Sequence, residues 1–337
     1  CQNINRGNES FGLKITFEIK KMKILANDGI ADSATKILEK NGHDLIKTNV
    51  AQDHLAKYIN DKNIDVLLVR SATKAKKDLI DACPNLKMIG RGGVGMDNID
   101  VEYARSKSIE VFNTPGASSN SVAELVFAHL GGLLRFLHES NRQMPLEGES
   151  RFKDLKKSYA KGMELRGKKI GIIGFGRIGK AVARIAYSLG MKVQAHDPFM
   201  KNPDFSIEFS DGQKINTAAK SLKLNEILKT SDIITLHIGG TKEIIGEKDI
   251  ALMKSGSFLV NTSRGGVINE EALDLALENK HLAGAALDVF NNEPQPAIKL
   301  LMNPKLSMTP HIGAATVEAQ ERIGLELANH IITLSKQ

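Results

Sequence analysis

Three glycines in the middle of the chain have the spacing of a phosphate-binding loop. Gly174, Gly176 and Gly179 form a G-x-G-x-x-G pattern within KKIGIIGFGRIGKAVARIA. An apolar strand pattern precedes the loop, and an amphipathic helix pattern that starts near Arg177 and Ile178 follows it. In that context the glycines permit a tight turn, a close approach to a pyrophosphate and close packing of helix on strand. The pattern predicts a dinucleotide site to which Arg177 and Ile178 also belong, because the helix N-terminus offers N–H groups to the phosphates.

An acidic residue indicates which nicotinamide dinucleotide the loop takes. The next strand pattern, MKVQAHD, ends in Asp197, roughly 20 residues beyond the last glycine, where a dinucleotide-binding unit holds the ribose. A carboxylate at that position accepts hydrogen bonds from the ribose hydroxyls and repels a 2′-phosphate. The neighbours His196 and Pro198 supply no arginine that would reverse this preference. The sequence predicts NAD as the cofactor.

Three polar residues further along could manage a proton and a carbonyl while a nicotinamide takes up hydride. Arg264 follows the strand pattern LVNTS, Glu293 ends the stretch DVFNNE, and His311 follows a proline turn. The histidine could accept a hydroxyl proton, the glutamate could hold its tautomer, and the arginine could bind a carboxylate or polarise a carbonyl. From the residues alone, each could equally be a structural or solvated side chain.

Alternating strand and helix patterns must position these residues. One series runs from Met22 to the break NTPGASSNS at 113–121, and a second begins at Lys168. Between them we expect a long apolar helix over about Val122 to His138, followed by a polar and irregular stretch. Short apolar strands separated by helices are typical of parallel sheets covered by helices on both faces. The patterns predict an α/β chain with two wound units.

The composition fits a two-domain globular chain. Of its 337 residues, 42% are hydrophobic and 25% charged, and no apolar run reaches the roughly 18 residues of a membrane span, so no membrane partner is expected. The net charge of +7 could favour binding of nucleic acid or of an anionic substrate. Scattered lysines and only 5% aromatic residues favour a solvated basic surface instead. We expect no nucleic-acid partner.

The cysteines and the N-terminus bear on the location of the protein. Cys1 and Cys83 are the only cysteines, too few for a disulfide framework or a zinc cluster, so we expect no metal and a reducing cytoplasm. Residues 1–21 lack the pattern of a signal peptide. Apolar residues alternate over Leu13–Ile19, which allows a short strand. The role of residues 1–21 is left open.

Five motifs occur together and in a fixed order: GFGRIG, HDP, NTSRGGVINEEAL, GAALDVFNNEP and TPHIGAAT. With them the chain from Met22 onward resembles the D-isomer-specific 2-hydroxyacid dehydrogenases. The resemblance implies that Arg264, Glu293 and His311 are the catalytic set. It also implies that Asp288 hydrogen-bonds the nicotinamide carboxamide, and that His237 and Thr262 lie along the cofactor groove.

The resemblance implies an α/β fold of two Rossmann-like, doubly wound parallel-sheet domains. The NAD-binding domain, 120–310, would be inserted into a substrate-binding domain made of 22–119 and 311–337. A homodimer is also implied, with its interface on the long helix from Val122 and the segment that follows. Serine-binding regulatory domains of longer members have no counterpart in these 337 residues, so no serine feedback through such a domain is expected.

The stretches VRSATK and GRGGVGMDNID resemble the members that act on 3-phospho-D-glycerate. They imply that Arg70 and Arg91 bind a dianionic substrate, for which two guanidinium groups are well suited. The turn at Gly92, Gly93 and Val94 could present N–H groups to the substrate carboxylate. The implied reaction is NAD-dependent oxidation of 3-phospho-D-glycerate to 3-phosphohydroxypyruvate, the first step of serine biosynthesis.

Other functions stay open at this stage. A glyoxylate or hydroxypyruvate reductase would use the same catalytic set without needing both arginines, and either arginine could instead be a structural ion-pair partner. The fold also serves as an NAD-sensing corepressor. Related enzymes carry a Trp-x-Arg element from a neighbouring subunit, but this chain has no tryptophan. Arg151 or Lys157 could replace the basic member of that element.

Overall fold

The computed structural model describes residues 20–336 as two compact units. The first contains residues 20–91, Asp100–Phe112 and 324–336, and the second contains Gly92–Ile99 and Asn113–Ile323. Each unit is built on a parallel sheet, which confirms the predicted fold class of two wound α/β units. The domain boundaries expected at 119/120 and 310/311 stay predictions. The strand expected within residues 13–19, and all but the last two residues of the 1–21 extension, lie outside the described residues.

The sheet of the first unit has five strands in the order β2-β1-β3-β4-β5. The strands are β1 (Lys23–Ala26), β2 (Asp44–Lys47), β3 (Val66–Val69), β4 (Met88–Arg91) and β5 (Glu110–Asn113). The accompanying helices are α1 (Asp32–Lys40), α2 (Gln52–Lys62), α3 (Lys77–Ala82) and α4 (Val101–Ser106). All four residues of β3 are buried, as expected for a parallel strand that helices cover on both faces.

The sheet of the second unit has seven strands in the order β10-β7-β6-β11-β12-β13-β14. They are β6 (Lys169–Ile173), β7 (Lys192–His196), β10 (Lys220–Ser221), β11 (Ile233–Leu236), β12 (Ser257–Asn261), β13 (Leu282–Leu287) and β14 (Leu306–Met308). The chain winds from β6 towards one edge and returns at β11 to wind towards the other. The switch point between β6 and β11 is where wound sheets bind their ligands.

Helices and a hairpin complete the second unit. The helices are α5 (Ser119–Arg135), α6 (Leu137–Ser158), α7 (Arg177–Ser188), α8 (Leu224–Thr230), α9 (Glu247–Leu252), α10 (Glu270–Glu278) and α11 (Ile298–Leu301). The last described helix, α12 (Val317–Leu334), belongs to the first unit from residue 324 onward. The hairpin strands β8 (Asp204–Glu208) and β9 (Lys214–Ala218) pair antiparallel. Two apolar clusters form the core of this unit. None of the helices within residues 20–336 is long and apolar enough to cross a membrane.

The segment after the apolar helix differs from the prediction. The apolar helix ends at Arg135, because Phe136 adopts a left-handed backbone with φ of 55°. The polar stretch that follows was predicted to be irregular, and this was wrong: it is helical over α6, with a kink at Arg151, where φ is −123° and ψ is 24°. Its glutamate, lysine and arginine residues favour a helix, and Arg151 forms an i,i+4 ion pair with Glu147 at 2.7 Å. These preferences outweigh the helix-breaking Pro145.

Candidate active site

The glycine loop joins β6 to α7 at the switch point of the second sheet. Gly174 has φ of +86°, and a Cβ atom placed on it would lie 2.4 Å from the carbonyl oxygen of His237. A Cβ atom on Gly179 would lie 2.2 Å from the carbonyl oxygen of Gly174. A Cβ atom on Gly176 would have no described atom within 4 Å. Packing therefore requires the first and third glycines, whereas the second borders open space.

Asp197 follows β7 and is hydrogen-bonded to this loop. Its Oδ2 accepts a hydrogen bond from the N–H of Phe175 at 2.8 Å, and its Oδ1 accepts one from the N–H of Phe199 at 2.9 Å. Each carboxylate oxygen keeps a further lone pair that can accept a hydrogen bond from a ribose hydroxyl. The bond to Phe175 fixes the carboxylate relative to the phosphate-binding turn.

His237 and Thr262 follow the neighbouring strands β11 and β12, where Leu236 is paired with Asn261. His237 Nδ1 and Thr262 Oγ1 are both buried and lack a hydrogen-bond partner within residues 20–336. Burial lowers the pKa of His237 to about 3, so its imidazole is neutral. Buried polar atoms are rarely left unpaired. Together with the open space at Gly176, these two atoms fit a bound dinucleotide that carries amide and hydroxyl groups.

Arg264 follows β12 and is held by its own loop and by an acidic residue that is distant in sequence. Its carbonyl oxygen accepts a hydrogen bond from Asn261 Nδ2, and its Nη1 donates to the carbonyl oxygen of Ser263 at 2.7 Å. Its Nε donates to Asp97 Oδ2 at 2.9 Å. A Cβ atom placed on Gly95 would lie 1.5 Å from Arg264 Nη2. The guanidinium group occupies the space that the missing side chain leaves.

Glu293 and His311 follow the next two strands, β13 and β14, and they form a pair. Glu293 Oε1 accepts a hydrogen bond from the N–H of Phe290 at 3.0 Å, and its Oε2 lies 2.7 Å from His311 Nδ1. The side chains are 35% and 44% exposed. Because Nδ1 faces the carboxylate, Nε2 of His311 is the atom that can exchange a proton with a ligand. A Cβ atom on Gly265 would lie 1.9 Å from the carbonyl oxygen of Phe290, so the loops of Arg264 and Glu293 are closely packed.

Asp288 binds the turn that carries His311. It is 1% exposed. Its Oδ1 accepts hydrogen bonds from Thr309 Oγ1 at 2.6 Å and from the N–H of Ile312 at 2.8 Å, and its Oδ2 accepts one from the N–H of Gly313 at 2.8 Å. The expected contact with the nicotinamide carboxamide stays a prediction.

The expected substrate residues lie in two places. In the first unit, Arg91 ends β4 opposite Val69 of β3, and Arg70 is the next residue after Val69. The two arginines thus stand at the carboxyl ends of adjacent strands. In the second unit, the turn at Gly92, Gly93 and Val94 is held through its carbonyl groups. Gly93 O accepts from the N–H of Thr114 at 3.2 Å, and Val94 O accepts from Asn113 Nδ2 at 2.6 Å.

Three residues of this arrangement were missed from the sequence. Gly95 and Asp97 lie within GRGGVGMDNID, yet only the fold brings them to Arg264, and Asp97 is 167 residues from it. Glu270 accepts a hydrogen bond from the N–H of Asn291 at 2.7 Å. Burial raises the pKa of the Glu270 carboxyl, and the charge of Glu293 adds to this effect. The position of Glu270 at the start of a helix does not by itself reveal these contacts with the loop of Asn291 and Glu293.

Residues 127–313 match the model of the D-isomer specific 2-hydroxyacid dehydrogenase, NAD binding domain. A hydroxypyruvate reductase of Thermotoga maritima is 41% identical over 92% of this chain and 97% of its own length. The D-3-phosphoglycerate dehydrogenase of Methanocaldococcus jannaschii is 40% identical over 92% of this chain. The aligned part is 57% of that relative, so this chain spans little more than half of it.

Solved structures show the same likeness. A glyoxylate reductase from Paecilomyes thermophila superposes with a TM-score of 0.79 and 30% identity, over 94% of this chain and 95% of that one. A D-lactate dehydrogenase from Aquifex aeolicus, complexed with NAD and lactic acid, superposes with a TM-score of 0.71 and 28% identity, over 93% and 95% of the two chains. The chain therefore belongs to the D-isomer specific 2-hydroxyacid dehydrogenase family and is an NAD-dependent oxidoreductase of 2-hydroxyacids.

Proposed function

We propose that the chain oxidises 3-phospho-D-glycerate to 3-phosphohydroxypyruvate with NAD, the first step of serine biosynthesis. The observation that carries the proposal is the placement of Arg70 and Arg91 at the carboxyl ends of adjacent strands. Two guanidinium groups match the charge and the oxygen geometry of a phosphate, because each can donate two parallel hydrogen bonds. Relatives named D-3-phosphoglycerate dehydrogenase support this substrate.

In this proposal three residues of the second unit carry the chemistry. NAD supplies the acceptor for the hydride that leaves the carbinol carbon. His311 accepts the hydroxyl proton at Nε2, and Glu293 holds the tautomer through Nδ1 and stabilises the imidazolium that forms. Arg264 binds the substrate carboxylate and polarises the new carbonyl oxygen. The turn at Gly92, Gly93 and Val94 offers N–H groups to that carboxylate. The same groups act in reverse when a keto acid is reduced.

A hydroxypyruvate reductase is the second candidate, and one observation favours it. The Thermotoga maritima relative of that name is 41% identical to this chain over 92% of its residues. Hydroxypyruvate carries no phosphate. A reductase of this kind would therefore not need both Arg70 and Arg91.

Paired substrates test the proposal. NADH formation is measured with 3-phospho-D-glycerate and D-glycerate, and NADH consumption with 3-phosphohydroxypyruvate and hydroxypyruvate. We expect the phosphorylated member of each pair to have a kcat/KM higher by about 10- to 100-fold, since hydrogen bonds to charged groups contribute about 1.5–3 kcal/mol. Arg70→Ala should remove most of that preference and leave D-glycerate within a few-fold, and Arg70→Lys should keep part of it. Preference for the unphosphorylated pair would make the second candidate the function.

We also propose a homodimer that uses α6. Four large apolar side chains of this helix are exposed: Leu137, Met144, Leu146 and Phe152. Arg151 is engaged within its own helix, 2.7 Å from Glu147 and 3.6 Å from Asp154. Of the two basic residues considered for the missing Trp-x-Arg element, we therefore propose Lys157. A cytoplasmic location, favoured by the scarcity of cysteines, remains part of this proposal.

A further inference from the structure

We propose that His129, a buried residue of α5, is a positioning residue for the turn that carries His311. It acts through Thr309 and Asp288 and does not touch the substrate. The inference rests on the role proposed for His311.

His129 has both ring nitrogens in hydrogen bonds to the last strand and its turn. It is 3% exposed. Nδ1 lies 2.7 Å from Ser307 Oγ, and Nε2 lies 3.1 Å from Thr309 Oγ1. A single histidine thereby links α5 to two alternate residues at the end of β14, immediately before Pro310 and His311.

The direction of each hydrogen bond follows from Asp288. Thr309 Oγ1 donates its only hydrogen to Asp288 Oδ1 at 2.6 Å, because a carboxylate accepts. Thr309 must then accept from His129 Nε2–H. Burial lowers the pKa of His129 and favours its neutral form, in which Nδ1 carries no hydrogen. Nδ1 accepts from the hydroxyl of Ser307, and Ser307 Oγ is left to accept from His138 Nε2 at 3.2 Å. For neutral His129, these hydrogen bonds therefore select the tautomer with its hydrogen on Nε2.

This series of hydrogen bonds ends on the backbone next to His311. Asp288 accepts hydrogen bonds from the N–H groups of Ile312 and Gly313, the two residues after His311. Gly313 is also held by α5 from its other side, because Ser121 Oγ donates to its carbonyl oxygen at 2.7 Å. His311 has φ of 55°, a left-handed backbone conformation that residues other than glycine keep only when their surroundings enforce it.

Two variants separate positioning from packing. His129→Leu keeps the volume and removes both hydrogen bonds, whereas His129→Gln keeps a donor for Thr309. His43→Leu is the matched control, because His43 is also 3% exposed and accepts a hydrogen bond at Nδ1 from the N–H of Met22 in the first unit. We expect His129→Leu to lower kcat about tenfold, equivalent to 1.4 kcal/mol, and to change the KM values for NAD and hydroxyacid less than threefold. His129→Gln should restore most of the loss, and His43→Leu should leave kcat unchanged.

A second measurement does not depend on turnover. Hydrogen exchange of the amides of Ile312 and Gly313 should accelerate in His129→Leu and in Thr309→Val, and not in His43→Leu. The double variant His129→Leu/Thr309→Val should exchange no faster than Thr309→Val alone, since both changes break one chain of bonds. The proposal is overturned if the exchange rates of these two amides in His129→Leu match those of the wild type, or if kcat falls equally in His43→Leu. A wild type that oxidises no hydroxyacid would refute the proposed function, while the exchange result still decides the role of His129.

Discussion

At the residue scale, the three residues proposed to carry the chemistry follow three neighbouring strands of the second unit. Arg264, Glu293 and His311 follow β12, β13 and β14 in order, and the latter two are 2.7 Å apart. Strand patterns placed Arg264 and Glu293 after strands, whereas His311 was placed only after a proline turn and its strand β14 was not predicted. The bond from Arg264 to Asp97 could not be predicted, because no local pattern relates positions 167 residues apart.

Asp197→Ala should weaken NAD binding and relax the rejection of NADP. The change removes the negative charge and the two hydrogen bonds that hold the N–H groups of Phe175 and Phe199. We expect the KM for NAD to rise about tenfold, since hydrogen bonds to charged groups contribute about 1.5–3 kcal/mol. The KM for NADP should fall, because the repulsion of a 2′-phosphate is lost.

Asp197→Asn is the control that separates charge from hydrogen bonding. It keeps one oxygen acceptor and loses the charge. The KM for NADP should therefore fall, while the KM for NAD should rise less than in the alanine variant. An unchanged ratio of kcat/KM for the two cofactors in both variants would show that Asp197 does not contact the ribose.

At the element scale, the alternating strands and helices of the two sheets followed from local patterns, whereas helix α6 and the β8–β9 hairpin did not. The strand, turn and helix at Gly174–Gly179 were predicted from apolar periodicity and glycine spacing. Helix α6 was missed because Pro145 and neighbouring polar residues resemble a loop, whereas the ion pairs that favour the helix depend on its register. The β8–β9 hairpin was not predicted either. It is anchored by packing, with Phe205 buried and Arg184 Nε bonded to Ser206 O at 2.7 Å.

Two glycines of the loop should respond differently to alanine. Gly179→Ala places a Cβ atom 2.2 Å from the Gly174 carbonyl oxygen, so the helix must shift, and we expect a loss of about 1–3 kcal/mol in unfolding free energy with weaker NAD binding. Gly176→Ala meets no described atom within 4 Å. It should keep the Tm of the wild type and still lower NAD affinity, because its methyl group occupies the space proposed for the pyrophosphate.

Thermal unfolding and NAD titration of the two variants check this pair of expectations. Wild-type NAD affinity in Gly176→Ala would place the pyrophosphate elsewhere. Equal loss of Tm in both variants would contradict the packing argument for Gly179.

At the scale of the whole molecule, two sheets of the same kind carry different parts of the proposed function. The number of wound units and the late position of the glycine loop could be read from alternating patterns in the sequence. Hydrogen-bond chains between distant segments, such as the one from His129 to Asp288, depend on three-dimensional packing and leave no periodic signal.

Stability should fall as the pH drops below about 6.5, the ordinary pKa of histidine. Burial lowers the pKa of His43 and His129, and lowers that of His237 to about 3. Just below pH 6.5 the unfolded chain therefore binds protons that the folded chain does not, and the unfolding free energy decreases with decreasing pH. Each histidine contributes at most about 1.4 kcal/mol per pH unit.

Urea denaturation across this pH range measures the slope. His43→Gln should make the slope shallower, because it removes one histidine whose pKa burial lowers. A free energy of unfolding that stays constant between neutral pH and pH of about 5.5 would contradict the prediction.

Dimer formation should depend on the apolar surface of α6. Leu146 is 81% exposed and Phe152 is 56% exposed, and burial of each such side chain stabilises an interface by about 1.5–3 kcal/mol. We expect sedimentation at micromolar concentration to show a dimer for the wild type and a monomer for Leu146→Asp/Phe152→Asp. Phe209→Asp, on the hairpin, should remain dimeric. A monomeric wild type would refute the homodimer.

His311, paired with Glu293, is proposed to exchange the proton of an NAD-dependent hydroxyacid oxidation. The most direct test compares wild type and His311→Asn, with kcat from NADH formation and NAD affinity from titration of the same samples. We predict that kcat falls by about 10²–10⁴-fold, the usual contribution of general base catalysis, while the Kd for NAD is unchanged. A kcat near that of the wild type in His311→Asn would contradict the account.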